Sequence, residues 1–197
     1  MGRPMKELFI TQFSTLAATP DRDLATPALM IARLECPSLN PAPLNAATLE
    51  LRELAGAAAA LGLQLQSLPV REAYDLAPAF VVMQQEQAEA LLTVANPSLT
   101  EWQDQLVALA QQTRLPALYP AREQVAAGGL LSYGADVPDL YRRAAWYVDK
   151  VLTGTPPAEV PVEQPTRFEL VVNRTTAQAL GLTIPPAVLA QASEVIQ

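Results

Sequence analysis

The sequence contains no histidine, and Cys36 is its only cysteine. Without histidine there is no imidazole general acid or base, and no Ser-His-Asp arrangement. Zinc sites with ordinary ligand sets are excluded on the same ground, and an intrachain disulfide would need a second cysteine. Cys36 itself would need a non-histidine activator to act as a nucleophile, so it reads as a small buried core residue. Neither a metal nor an organic cofactor is expected. The lack of disulfides leaves the compartment open, because exported bacterial proteins need not contain them.

Basic residues are also scarce. Thirteen Lys and Arg face twenty Asp and Glu, a formal net charge of −7. A phosphate backbone is repelled by such a surface, and no basic stripe offsets it, so nucleic acid is not an expected partner. The close basic pair Arg142-Arg143 lies in a helical pattern with acidic neighbours. Long apolar runs are missing too: none approaches the ~18 residues that span a bilayer. The amino terminus, MGRPMKELFITQFSTLAATPDRD, faintly imitates an export signal. Glu7, Thr11, Gln12 and Ser14 interrupt the apolar region that such signals use, and residues 1–25 are read as a variable segment without a competent signal.

What is present is a globular composition: 50% hydrophobic residues and 17% charged ones in 197 residues, enough for a sizeable core. Short β-like runs alternate with helical patterns. Strands are expected at 28–34, 63–70, 90–94, 116–119, 130–133 and 168–172. Helices are expected at 45–61, 76–89, 100–112, 122–127 and 138–152, with two short ones at 175–180 and 186–196. Gly62 sits where a left-handed helix cap is wanted, and Pro78 is tolerable in a first helical turn. Leu140, Tyr141, Ala144, Ala145, Val148, Val151 and Leu152 form one apolar face, which reads as a packing surface. Strand–helix–strand alternation implies an α/β fold with a mostly parallel, doubly wound sheet. The lobe would occupy 26–154, followed by a Pro-rich connector and carboxyl-terminal extension at 155–197.

In such a sheet, ligands bind beyond the carboxyl ends of the strands. Here those ends carry Asn40, Asn96-Pro97-Ser98, Tyr119 to Arg122, and Ser132-Tyr133-Gly134 with Asp136. Amide, hydroxyl, aromatic and guanidinium groups on one rim suit recognition of a small polar or aromatic molecule. Each has a plainer alternative. Tyr119 and Tyr133 also suit core aromatics with hydroxyls near the surface. Arg122 with Glu123 also suits a solvated pair, and Asn96 and Ser132 also suit capping or loop roles. Gly128-Gly129 reads as a tight turn and matches no phosphate-binding pattern. Trp102 and Trp146 lie on helices, where packing is the default. No pair of carboxylates is marked out for acid–base work, so the chain is not read as an enzyme.

Two blocks, PAREQVAAGGLLSYGADVPDLYRRAAWYVDKVLTG and PVEQPTRFELVVNRTTAQALGLTIPP, resemble the carboxyl-terminal half of bacterial ABC-transporter substrate-binding proteins of the tryptophan- and tyrosine-binding group. NPAPLNAATLELRELAGAAAALGLQLQ resembles the first helix and second strand of that family's distal lobe. The resemblance implies one lobe of a type I periplasmic-binding-protein-like receptor, a small-molecule ligand such as an amino acid, delivery to an ABC permease, and a periplasmic location. It would place ligand contacts at Asn96, Tyr119, Ser132 and Tyr133, with Asn173 structural. Family members begin with a complete first lobe, which here is missing or truncated, so self-association through the surface left open is one expectation. The competing readings are a remnant lobe that binds nothing, and a cytoplasmic small-molecule sensor.

Overall fold

The computed structural model describes residues 30–35, 46–60 and 62–197. Cys36, Asn40 and the signal-like segment lie outside the described residues. The described chain begins with β1 (Met30–Glu35), passes through α1 (Ala46–Ala60) to β2 (Gln64–Pro69), then α2 (Leu76–Gln85) and β3 (Ala90–Leu92). Two helices, α3 (Pro97–Glu101) and α4 (Gln103–Gln112), lead to β4 (Ala117–Tyr119), and α5 (Arg122–Ala126) leads to β5 (Leu131–Ala135). After α6 (Val137–Leu152) come β6 (Phe168–Asn173), α7 (Arg174–Leu180), α8 (Pro186–Leu189) and β7 (Glu194–Ile196).

The strands form one sheet in the order β2-β1-β3-β4-β5-β6-β7. Every neighbouring pair is parallel except β5 and β6, which run antiparallel from Leu131↔Val172 to Ala135↔Phe168. The carboxyl-terminal extension therefore completes the same sheet.

Alternation of side chains explains why both faces are covered. Leu91, Ala117 and Tyr119 enter one core with Phe80 and Met83 of α2 and Leu106 and Val107 of α4. Ala90, Leu92 and Leu118 point the other way and meet Leu170, Val172, Ala177 and Val188, with Leu54 of α1 packed against them. A strand buried on both faces reads as a continuous apolar run, and ALL and ALY do. Burying each large aliphatic or aromatic side chain contributes about 1.5–3 kcal/mol, so these two layers hold the sheet together.

Local signals set the element ends. Gly62 has φ +66, and Leu63 N–H donates to the Ala58 carbonyl at 2.9 Å, closing α1 with a left-handed residue. Pro78 occupies the first turn of α2. Asn96 starts α3 earlier than the periodicity suggests, its side chain accepting from Ser98 N–H. Asn173 does the same for α7, accepting from Thr176 N–H at 3.0 Å, while its buried Nδ2 donates to the Val125 carbonyl at 3.3 Å.

Two expectations are corrected. The helix read at 186–196 ends at Leu189, and Glu194–Ile196 forms β7 instead. The open edge of β6 offers unpaired backbone groups, and pairing with that edge outweighs the local helical pattern. The apolar face of α6 is not a packing surface within the described residues: none of its residues is buried, and Tyr141 and Leu152 are 76% and 80% exposed. Trp146 is likewise largely exposed, with the Lys150 ammonium 5.5 Å above its ring, whereas Trp102 does pack against the core.

Gly134 is required by contact rather than by conformation. A Cβ placed there would lie 1.8 Å from the Pro120 carbonyl oxygen, a backbone atom that cannot swing away. Gly134→Ala is therefore expected to lower unfolding free energy by about 3 kcal/mol, the upper end of the usual overpacking cost, read from urea midpoints at unchanged slope. Asn173→Ala, which removes a cap and a buried hydrogen bond together, should cost about 2–3 kcal/mol in the same assay. A loss near zero at either site would show that these contacts do not constrain the fold.

Candidate functional site

The parallel strands deliver their carboxyl ends to one edge of the sheet, and a shallow depression, open to solvent, lies there between the turn after β4 and the end of β5. Pro120, Arg122, Glu123, Ser132, Gly134 and Glu169 are among its lining residues. The close approach of Gly134 to Pro120 brings the two strand ends together and gives the groove its floor.

Ser132 is 2% exposed, and it pairs in register with Tyr119 on one side and Val171 on the other. It is among the residues that line the groove. Tyr133, the next residue, points to the opposite face, as period-two alternation demands, packing against the second core and stacking on Phe168 at 6.0 Å. Partial burial pushes the Tyr133 phenol above its usual pKa. Tyr119 is 1% exposed and lies in the first core beneath the rim, where burial raises its phenol strongly. Asn96 lies in the loop after β3 as the cap of α3, its side-chain Oδ1 accepting from Ser98 N–H. Of the four sequence-selected residues the structure thus brings Ser132 into the groove, while Tyr119, Asn96 and Tyr133 are not among its lining residues.

The charged groups of the groove are less visible in sequence. Arg122 does not simply pair with its neighbour Glu123. Its guanidinium donates twice to Glu194 on β7, at 2.6 and 3.2 Å, across a gap of 72 residues in the chain. That hydrogen bond and the Glu194 charge raise the arginine pKa, and Glu123 and Glu169 add to the same effect. Because Glu194 had been assigned to a helix, this partner was out of reach of sequence reasoning. Gln124, also missed, is buried and accepts from Ala121 N–H at 3.2 Å, which fixes the turn carrying Arg122. Alternation along FELVVN places Glu169 and Val171 on the same face as Ser132, a signal that would have found Glu169 once the β5–β6 pairing was known.

Asp136 and Asp139 form a second charged cluster where the chain leaves the rim. Asp136 caps α6 by accepting from Asp139 N–H at 2.8 Å. Asp139 pairs with Arg142 at 2.9 Å and with Arg167 at 3.6 Å, so both ends of the 136–167 segment are tied at one point. Gly128 and Gly129 serve as the turn into β5, donating to the Val125 and Gln124 carbonyls. Among the described residues there is no group of His, Cys, Asp and Glu able to hold a metal ion, and no helix is long and apolar enough to cross a membrane.

This architecture is found in proteins of known structure. A conserved domain protein from Vibrio cholerae O1 biovar El Tor superposes with a TM-score of 0.79 at 24% identity, over 97% of this chain and 60% of that one. An ABC domain from Streptococcus pneumonia, solved in complex with L-Trp, gives 0.74 at 26% identity, over 85% and 55%. The ligand-free, open form of a substrate-binding protein with adhesive properties from Clostridium difficile gives 0.62 at 15% identity, over 95% and 58%. The chain thus spans between 55% and 60% of the length of these solved chains. Among curated proteins there is no match. The sheet, its carboxyl-edge groove and the motif blocks agree with a family description that covers residues 39–196, and the chain belongs to the ABC transporter substrate-binding protein family.

Proposed function

We propose that this chain is the solute-recognising part of an ABC-type importer, and that its solute is a free amino acid, held at the carboxyl-edge groove. The observation that carries the reading is the groove's mixed charge. Arg122, Glu123, Glu169 and the buried Ser132 line one depression. A zwitterion needs such a pairing: a planar cation for its carboxylate and an anion for its ammonium. The L-Trp complex of the structural relative from Streptococcus pneumonia is consistent with an amino-acid solute.

In this reading Ser132 faces the solute together with Arg122, whereas Asn96, Tyr119 and Tyr133 shape the strand ends without touching it. The Arg122–Glu194 pair is half-exposed, so its attraction is screened and worth under ~1 kcal/mol, weak enough for a solute carboxylate to displace it. No bond is broken in this scheme, which agrees with the lack of a nucleophile paired to a base. Since the chain spans little more than half of its structural relatives, the groove is one wall of the binding site and a facing wall completes it. Delivery to a membrane permease, and a location outside the cytoplasm, belong to the same proposal.

The test is a thermal-shift and calorimetry panel of free amino acids, L-Trp and L-Tyr included, against neutral sugars. A solute at ~100 times its Kd should stabilise the folded state by about 2.7 kcal/mol. Arg122→Gln should weaken that binding at least ~tenfold, and Glu194→Gln should strengthen it by freeing the guanidinium. Absence of stabilisation by every amino acid, with the chain folded, would instead favour a lone lobe that binds nothing.

A further inference from the structure

The depression at the carboxyl edge holds more negative than positive charge. Arg122, Glu123 and Glu169 line it. Arg122 is already engaged, since its guanidinium donates at 2.6 and 3.2 Å to Glu194 on β7, which is not a lining residue. Glu123 and Glu169 make no ion pair or side-chain hydrogen bond among the described residues, and act on Arg122 only through their charge. Glu169 is half-buried on β6 opposite Gly134, whereas Glu123 stands exposed in the first turn of α5. Ser132, 2% exposed and also in the lining, makes no side-chain hydrogen bond among the described residues. A buried hydroxyl of that kind is a group for which a partner is wanted.

We propose, on the basis of the amino-acid reading of this site, that the solute carries a second cation, as a basic amino acid does. Its carboxylate takes Arg122 and Ser132, while its α-ammonium and its side-chain cation meet Glu123 and Glu169. Charge decides between solutes. An amino acid with a neutral side chain brings one ammonium to two carboxylates, and its own carboxylate displaces Glu194. The depression would then hold three anions, those of Glu123, Glu169 and the solute, against two cations. A basic side chain makes the count three against three. The displaced Glu194 is half-exposed and returns to water at little cost. Glu169 is the stronger attractor of the two free carboxylates, because its partial burial leaves its field less screened.

The rest of the lining supports the same class. No aromatic ring is part of it, so this wall offers an indole or a phenol no aromatic face to stack against. Val137 and Pro138 supply an apolar flank instead. The methylene stem of a lysine- or arginine-like side chain lies well along such a surface while its charged end stays at a polar group.

Calorimetry on the full chain, in low-salt buffer near neutral pH, compares L-lysine with L-norleucine, which has the same carbon chain without the terminal ammonium. Lysine should bind with a Kd at least ~threefold lower, and added salt should shrink the difference. L-Arginine against L-citrulline repeats the comparison without any change to the protein. Glu169→Gln should bring the lysine and norleucine Kd values together, with thermal unfolding reporting that the variant is folded. Equal or tighter binding of norleucine overturns the requirement for a second cation and leaves the amino-acid reading standing. A lysine preference that survives both Glu169→Gln and Glu123→Gln lies outside the depression and overturns the assignment. The diamine putrescine separates the two readings in the other direction. Its binding, weakened by Glu169→Gln, to a chain that takes no amino acid would remove the proposed function and keep the two carboxylates as cation receptors. A folded chain that binds none of these solutes overturns both.

Discussion

The absence of a side chain at Gly134 is the constraint on which the rest of the rim depends. Only a backbone without Cβ lets the end of β5 slide beneath the Pro120 carbonyl. That approach sets the turn after β4 against the end of β5, where Arg122 and Ser132 line one depression and the chain leaves through Asp136 into α6. Move the two strand ends apart by the width of a methyl group, and the groove, the Arg122–Glu194 bridge and the Asp136 cap would all shift together. Steric exclusion at one atom thus sets the geometry of a charged site.

The electrostatics follow from that placement. Arg122 lies among three carboxylates, those of Glu123 and Glu169 in the groove and that of Glu194 on β7, all of which raise its pKa further. The bridge to Glu194 positions the guanidinium while leaving it half in solvent, where the cost of changing partners is small.

The parallel core was readable because its strands are short apolar runs between amphipathic helices, a pattern that depends only on local spacing. The same logic selected Asn96, Ser132 and Tyr133 as strand-end positions, since strand ends can be counted from the runs that precede them, and of these Ser132 lines the groove. The sequence does not state which face of β5 each side chain takes relative to the groove, and so Ser132 and Tyr133 looked like joint contacts although the pleat sends them to opposite sides. Glu194 and Glu169 were out of reach because both act through pairing with β5 and β6, contacts set by tertiary structure. The α6 face shows the other limit of pattern reading. Amphipathicity records that a helix is built to be covered, and says nothing about whether the cover lies in the same described body.

The pairing of Ala135 with Phe168 has a further meaning for how such a chain can change over time. Topologically, 136–167 is an overgrown hairpin loop whose two ends are already neighbours in the sheet. Lengthening or shortening a loop of this kind alters closure entropy by only about 0.6 kcal/mol per doubling. Its contents can therefore be rewritten, helix and all, with little tax on the sheet that carries it. The β5–β6 ladder acts as a socket, and α6 is the interchangeable part plugged into it.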